Sequence, residues 1–177
     1  MSAPALIDHA KRAQLLRLAR TGLRVALAAA AWGASAPSAW AAKESSLPVV
    51  DALPEALARA LSRREPLLVM VSLHGCAFCK VVRESYLLPL QAEGLPVVQI
   101  NMREDKSLVD FQGNKTTHDQ WVRQQNVRIA PTVLFFGRDG QEVAARLKGA
   151  YLPDFYNAYL EEQLALARRA VQKSLHA

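Results

Sequence analysis

The two cysteines of this 177-residue chain are the residues best suited to do chemistry. Cys76 and Cys79 stand two residues apart, after an apolar run and a turn at His74-Gly75. If a helix begins at Cys76, its free N–H groups and the positive end of its dipole favour a thiolate there. Cys79, one turn later, can then attack a mixed disulfide formed at Cys76. The pair therefore predicts a site of thiol–disulfide exchange.

Two other uses of a Cys-x-x-Cys pair stay open from the residues alone. A structural zinc ion needs four ligands, but the sequence has no second cysteine pair and its four histidines show no paired spacing. The second alternative is an inert pair of core cysteines. We favour redox chemistry, which needs neither a metal nor an organic cofactor.

Residues 1–41 are typical of a secretory signal. Basic side chains are followed by the apolar stretch 25–32 and by small residues that end in Ala39-Trp40-Ala41. The pattern predicts cleavage before Ala42 and export to an oxidising compartment, the bacterial periplasm. An uncleaved inner-membrane anchor or a long N-terminal arm is the alternative, although the apolar stretch is shorter than the roughly 20 residues of a membrane span.

The net charge of +6 belongs mainly to this N-terminal segment. From Ala42 onward the sequence holds 17 basic and 15 acidic side chains, without a basic stripe. The charge distribution therefore argues against nucleic-acid binding.

Alternating helix and strand patterns should position the cysteines. The run Leu67–Leu73 predicts a strand buried on both faces, and a helix should follow from Cys76 to about Leu88, where Pro89 ends it. Asp51 is expected to cap an earlier helix. The later predicted elements are a strand at 97–102, a loop at 103–119, a helix from Thr117 or Asp119 to about Asn126, a strand at Thr132–Phe136, a hairpin turn at Gly137-Arg138-Asp139-Gly140, a returning strand at Gln141–Leu147 and a final helix from Asp154.

This order predicts an α/β domain whose first two strands are parallel. We expect a tether at 42–50, the domain at 51–167 and a polar helical tail at 168–177 that projects from it. The predicted buried face of the final helix consists of Phe155, Tyr159, Leu160, Leu164 and Ala167.

Between about Asp51 and Leu166 the chain resembles the thioredoxin family. The motifs that carry the resemblance are His74-Gly75-Cys76-Ala77-Phe78-Cys79-Lys80, Ile129-Ala130-Pro131-Thr132 and Lys148-Gly149-Ala150-Tyr151. The resemblance implies a thioredoxin fold with a central mixed sheet flanked by helices. The stretches 109–113 and 149–155 are most similar to exported bacterial thioredoxins, including SoxW-type proteins.

By this resemblance, Cys76 is the nucleophile and Cys79 the resolving thiol. Pro131 would be a cis-proline facing them, with the backbone of Ala130 turned outward to pair with an extended substrate chain. An ordinary trans turn at Pro131 is the alternative.

Three departures from the family pattern concern the surroundings of the cysteines. His74 replaces a tryptophan and serves either as a titrating neighbour or as a polar lid. Met70 replaces a buried acid that helps the resolving thiol to lose its proton, a role that Glu84 or Lys80 could take over. The extra loop at 105–117 could shape the choice of partner.

The residues around the cysteines also predict the direction of electron flow. The residues expected to tune the site are His74, Gly75, Ala77 and Phe78. Ala77 and Phe78 offer no side-chain donor or charge, so the helix terminus alone should lower the pKa of Cys76, and only moderately below ~8.5. We expect a monomeric reductase or electron carrier that acts on protein disulfides and is kept reduced by a membrane thiol relay. The alternatives are a disulfide-forming oxidase and a peptide-binding or chaperone module with a structural disulfide.

Overall fold

A four-stranded mixed sheet holds the cysteine pair in the computed structural model, which describes residues 46–150 and 153–175. The helices are α1 (Leu53–Ser62), α2 (α-helical Ala77–Val82, π-helical Arg83–Leu87 and α-helical Leu88–Ala92), α3 (His118–Gln124) and α4 (Pro153–Leu175), with one short 3₁₀-helical turn at Arg138–Gly140. The strands are β1 (Leu67–Ser72), β2 (Val97–Asn101), β3 (Ser107–Val109), β4 (Lys115–Thr117), β5 (Thr132–Phe136) and β6 (Leu147–Lys148). The predicted signal segment and its cleavage site at Ala42 lie outside the described residues.

The sheet has the strand order β2-β1-β5-β6. Strand β1 pairs in parallel with β2 and antiparallel with β5, which in turn pairs antiparallel with β6. The predicted parallel pairing of the first two strands is therefore confirmed. Helix α2 supplies the crossover between them, as a parallel connection requires.

Strand β1 is an inner strand, paired with β2 and β5, and both of its faces are covered. All six of its residues are buried, which confirms the prediction from its uninterrupted apolar sequence. Val69 and Val71 face a core that includes residues of α1 and α3. Leu68 and Met70 face a second core, which includes residues of α2 and α4. The sheet is thus the middle layer between two pairs of helices.

The start of α1 differs from the prediction that Asp51 caps it. The N-cap residue is Ala52, whose side chain makes no capping hydrogen bond, and Pro54 in the first turn lacks one of the N–H groups that would need a partner. Asp51 instead pairs with Lys106 at 2.7 Å, and this hydrogen bond lowers the pKa of Asp51.

Pro89 does not end the helix that follows the cysteines, contrary to the prediction. The helix continues to Ala92, because its middle part is a π-helix. The Leu88 N–H donates to the Arg83 carbonyl, five residues earlier rather than four. This wider turn makes room for the proline ring, which an α-helical turn would push against the carbonyl four residues before it.

The segment 103–119 is not the plain loop that its polar composition predicts. Strands β3 and β4 form a small antiparallel sheet, with Ser107 opposite Thr117. The turn between them is closed by the Asp110 side chain, which accepts hydrogen bonds from the backbone N–H groups of Gln112 and Asn114. Thr117 accepts a hydrogen bond from the Gln120 N–H and caps α3, which is one of the two caps expected.

The returning strand is shorter than predicted. After the turn, the chain pairs with β5 only through β6 and through a single bridge between Phe136 and Glu142. Asp139 has φ 58° and Gly140 has φ 68°, the positive values that an Asp-Gly turn requires. The turn is confirmed in place, whereas most of 141–147 is irregular.

The tail at 168–177 does not project from the domain over its described part. Helix α4 runs on to Leu175, Val171 is fully buried, and Arg168 pairs with Glu65 at 2.7 Å. The predicted buried face is also wrong in part, because Phe155 and Tyr159 are exposed. The buried face consists of Tyr156, Leu160, Leu164, Ala167 and Val171.

Candidate functional site

Cys76 and Cys79 meet at the start of α2 and form a disulfide, with their Cα atoms 5.2 Å apart. Gly75 has φ +71° and turns the chain sharply between β1 and the helix. Cys76 is the N-cap residue, and its Sγ atom accepts a hydrogen bond from the Cys79 N–H at 3.0 Å. A free donor of the first helical turn is thus directed at the sulfur of Cys76.

The two sulfurs differ in access. Cys79 is completely buried and packs in the second core, whereas Cys76 is half-buried. A large substrate can therefore reach the sulfur of Cys76 but not that of Cys79. Cys76 thus differs from Cys79 both in its position at the start of the helix and in its exposure.

A backbone segment before β5 faces Cys76. The Ala130–Pro131 peptide bond is cis, and the Ala130 carbonyl oxygen lies 3.9 Å from the Cys76 Sγ. The segment is held by the Thr132 hydroxyl, which donates to the Ile129 carbonyl at 2.7 Å, and by the Gly149 N–H, which donates to the Pro131 carbonyl at 2.7 Å. The sequence-predicted pair Ala130 and Pro131 thus lies beside the cysteines.

Exposed apolar side chains flank this segment. Phe78, between the cysteines, is 66% exposed, and Ile129 is 40% exposed. Ala77 is exposed as well. None of these three side chains carries a polar group, so the surface next to Cys76 suits apolar segments of a partner.

Met70 occupies the core around Cys79. It is fully buried and belongs to the same apolar cluster as Cys79. Of the two residues that could replace an acid there, Lys80 is exposed and lines a cleft beside Cys76, and Glu84 is half-buried on α2. His74 is also exposed and lines that cleft.

This polar cleft has a volume of about 390 Å³ and runs from Cys76 along α2. One wall carries Lys80 and Arg83, and the other carries Asn101 and Glu104. The sequence prediction missed Arg83, Asn101 and Glu104. The spacing of Lys80 and Arg83, four and seven residues after Cys76, was the available signal, because such residues share a helix face.

A chain of side-chain hydrogen bonds joins the two walls. Arg83 donates through Nε to Gln99 Oε1 at 3.0 Å and through Nη2 to Ser72 Oγ at 3.2 Å. Gln99 in turn donates to Asn101 Oδ1 at 2.7 Å, and Asn101 donates to Glu104 Oε2 at 3.0 Å. The chain fixes the orientation of the arginine and satisfies the buried Gln99 and Ser72.

His118 holds the strand residue Asn101, near the end of this hydrogen-bond chain that is farther from Cys76. It is fully buried, its Nδ1 atom accepts the Asn101 N–H at 3.1 Å, and its Nε2 atom lies 3.0 Å from the Val50 carbonyl oxygen. These partners require a neutral ring with the proton on Nε2. Burial lowers the pKa of His118, and the positive charge of Lys106 lowers it further.

Within residues 46–150 and 153–175, no helix is both long and apolar enough to cross a membrane. The same residues bring together no group of three or more His, Cys, Asp or Glu side chains that could hold a metal ion.

Comparisons with known proteins identify the domain. A family model described as a thioredoxin-like domain matches residues 53–164. No curated protein sequence matches the chain. Among solved structures, a thioredoxin from Thermus thermophilus is 21% identical, with 68% of this chain and 86% of that chain covered and a TM-score of 0.46.

Two further solved structures are similar to the chain. A thioredoxin-fold protein from Helicobacter pylori is 17% identical over 63% of this chain and 84% of its own, with a TM-score of 0.44. The periplasmic thioredoxin SoxS from Paracoccus pantotrophus is 20% identical over 58% of this chain and 99% of its own, with a TM-score of 0.40.

Proposed function

This chain belongs to the thioredoxin-like family, and we propose that its Cys76–Cys79 dithiol carries electrons to disulfides in exported proteins. As a member of that family with a Cys-x-x-Cys pair, the chain is a thiol–disulfide oxidoreductase. The proposal concerns the direction of electron flow, the roles of the residues and the compartment.

The observation that carries the proposed roles is the asymmetry of the two cysteines. Cys76 is accessible and accepts the Cys79 N–H, whereas Cys79 is buried. In the proposed reaction, the Cys76 thiolate attacks one sulfur of a substrate disulfide and releases the other sulfur as a thiolate. Cys79 loses its proton and attacks the Cys76 sulfur, which releases the second substrate thiol. Two electrons thereby pass to the substrate, and Cys76 and Cys79 are left as a disulfide.

The Ala130–Pro131 segment is proposed to bind the substrate chain. Because the Ala130 carbonyl oxygen lies 3.9 Å from the Cys76 Sγ, a substrate strand that pairs with this backbone would bring its own disulfide next to Cys76. Phe78 and Ile129 would contact apolar side chains on either side of it. Pairing through the backbone makes few demands on sequence, which suits a protein that acts on several substrates.

The reductase direction is supported by the small number of donors at Cys76. In the described part of the chain, the Cys79 N–H is the one group that donates a hydrogen bond to the Cys76 Sγ. Ala77 and Phe78 add no side-chain donor. A strong oxidant stabilises its thiolate more than this. His74 and Gly75 are proposed to tune the site, His74 from its exposed position in the cleft beside Cys76 and Gly75 through the turn that orients Cys76.

The proposed compartment is the periplasm, with a cleaved signal at 1–41 ahead of a thioredoxin-like domain that acts as a monomer. In that oxidising compartment the reduced form needs a membrane thiol relay as electron donor. Intact mass of the protein recovered from the exported fraction tests cleavage, and we expect a chain that begins at Ala42. A full-length chain recovered from membranes would contradict cleavage and indicate an anchor.

The reduction potential tests the direction. We expect a value near the ~−270 mV of thioredoxin rather than the ~−120 mV of the strongest periplasmic oxidant, a gap of about 7 kcal/mol for two electrons. Equilibration with glutathione buffers measures it, followed by reduction of insulin and by oxidative refolding of a reduced substrate. Cys76→Ser is the inactive control. A potential above about −150 mV together with efficient oxidation of the reduced substrate would reverse the proposed direction.

A further inference from the structure

The cleft beside Cys76 contains two cationic side chains in line with the reacting sulfur. Lys80 and Arg83 follow Cys76 by four and seven residues, so the three share one face of α2, and all three line the same cleft. At a rise of ~1.5 Å per residue, Lys80 lies about 6 Å and Arg83 about 10 Å farther along the helix axis than Cys76. A group bound by them would therefore belong to a molecule whose sulfur is at Cys76.

The guanidinium of Arg83 has no carboxylate partner among the described residues. Its guanidinium is held by two neutral acceptors, Gln99 Oε1 and Ser72 Oγ. No carboxylate of the described residues lies within 4.0 Å of Arg83 or Lys80. A guanidinium has five N–H donors, so the two used here fix its orientation and leave others for a ligand.

The opposite wall offsets only part of this charge. Glu104 is its acidic residue, and one of its oxygens already accepts a hydrogen bond from the Asn101 side chain. Lys80, Arg83 and Glu104 together leave the cleft with an excess of one positive charge. A half-buried arginine that faces a cavity without a carboxylate partner indicates that the partner is supplied from outside.

We propose that this cleft binds a carboxylate carried close to the substrate sulfur that Cys76 attacks, so that the enzyme prefers disulfides with acidic neighbours. The inference rests on the proposed exchange reaction at Cys76 and adds its substrate class. Lys80 receives a carboxylate a few bonds from the sulfur, and Arg83 receives one that lies a helical turn farther. The carboxylate comes either from a small acidic thiol or from an acidic side chain next to a cysteine of a protein.

Exchange rates with small disulfides of different charge test the proposal. The reduced protein is mixed with dithiodipropionate, hydroxyethyl disulfide or cystamine, which carry carboxylates, hydroxyls or ammonium groups, respectively. Each exchange rate is divided by the rate at which dithiothreitol reduces the same disulfide, which corrects for the disulfide's own reactivity. We expect the normalised rate to be highest for dithiodipropionate and lowest for cystamine. We expect Lys80→Met and Arg83→Gln each to lower the ratio of these two rates about fivefold, and Glu104→Gln to raise it.

The control variants are Arg59→Gln and Lys173→Met, which remove one positive charge from α1 and α4 and should leave the ratio unchanged. The side chain of Lys80 is exposed and makes no hydrogen bond or ion pair to the other described residues, so Lys80→Met tests the proposal even if Arg83→Gln fails to fold. Raising the salt concentration should reduce the ratio of the unaltered protein toward that of Lys80→Met.

Peptide disulfides distinguish the two sources of the carboxylate. Two peptides are compared that differ only in having Glu or Gln next to the cysteine. A preference for the Glu peptide that Arg83→Gln removes supports the proposal with a protein segment as substrate, and a preference limited to dithiodipropionate supports it with a small acidic thiol. A ratio that Lys80→Met and Arg83→Gln both leave unchanged would overturn the proposal while exchange itself continues. Failure to exchange with any of the disulfides would overturn the proposed function as well.

Discussion

The backbone N–H of Cys79 is directed at the sulfur of Cys76, 3.0 Å away, while the sulfur of Cys79 itself is buried. Under the proposed roles, Cys79 stabilises the thiolate of Cys76 through its main-chain N–H, and its burial keeps its own sulfur away from substrates. The two cysteines lie one helical turn apart. This spacing allows the contact, because the first free N–H groups of a helix point back at its N-cap residue.

We therefore predict that Cys76 reacts first with alkylating agents. In the reduced protein near pH 6, iodoacetamide should modify Cys76 at least tenfold faster than Cys79, since the hydrogen bond favours its thiolate and Cys79 is inaccessible. Peptide mapping after short exposure measures this ratio. Cys79→Ser should accumulate mixed disulfides with partner proteins, whereas Cys76→Ser should not. Faster modification of Cys79 would contradict the assignment.

The apolar surroundings of Cys79 predict a slow resolving step. Met70→Asp should speed release of the mixed disulfide, because an acid in this core can accept the Cys79 proton. The same change should lower the free energy of unfolding by about 3 kcal/mol or more, because it buries a charge at a fully buried position. Met70→Leu is the control and should affect neither strongly. An unchanged release rate in Met70→Asp would show that another group already acts as base, and Glu84→Gln then tests the first candidate.

His118 predicts that acid destabilises the cleft. Burial lowers its pKa in the folded state, so the unfolded chain binds the proton more readily. The stabilisation by the neutral ring is complete above the ordinary value of 6.5 and is lost as the pH falls through the folded-state pKa. Lys106 opposes the added charge, while Glu104 and Asp51 favour it.

Urea unfolding at pH 7.5 and pH 5.5 checks this prediction. The free energy of unfolding should fall with pH by at most ~1.4 kcal/mol per unit for one proton. His118→Gln should be less stable at pH 7.5 but should lose less on acidification. Equal pH dependence in both proteins would contradict the role of His118.

Tyr156 predicts a stabilising substitution. Its hydroxyl is buried without a hydrogen-bond partner among the described residues, and burial raises its pKa. Tyr156→Phe should keep the ring contact with Tyr86, whose centroid is 4.8 Å away, and should raise the free energy of unfolding by up to about 1 kcal/mol. Tyr159→Phe is the matched control, because Tyr159 is 53% exposed. A loss of stability in Tyr156→Phe alone would indicate a partner for the hydroxyl.

The parts of the fold that follow from local signals were predictable. The apolar run of β1, the cysteines at a helix start and the cap at Thr117 each depend on a few neighbouring residues. The buried face of α4 was predicted one residue out of register at its start, because Phe155 and Tyr159 are as apolar as Tyr156. Tyr156 is the aromatic residue that packs in the second core, where its ring centroid lies 4.8 Å from that of Tyr86.

The cleft was not predictable, because its contacts join residues that are far apart in sequence. The hydrogen bond between Arg83 and Gln99 links helix and strand across 16 positions, and that between Asn101 and His118 spans 17. Each of these residues is polar and unremarkable in its own segment. The β3–β4 hairpin was not predicted for a related reason. Its strands are too short to show an alternating pattern, and the turn between them is closed by the Asp110 side chain.

The π-helical turn of α2 ties together two features of the sequence that could otherwise change independently. The turn at Arg83–Leu87 holds one residue more than an α-helical turn would, and Pro89 sits where only the wider turn leaves room for its ring. Deletion of one residue within 83–87 would keep both ends of the helix in phase with the sheet but would bring the proline into an α-helical turn. Replacement of Pro89 alone would remove the ring that requires the wider turn, so the π-helical turn with its extra residue would no longer be favoured. In related sequences, the extra residue and the proline are therefore expected to be gained or lost together.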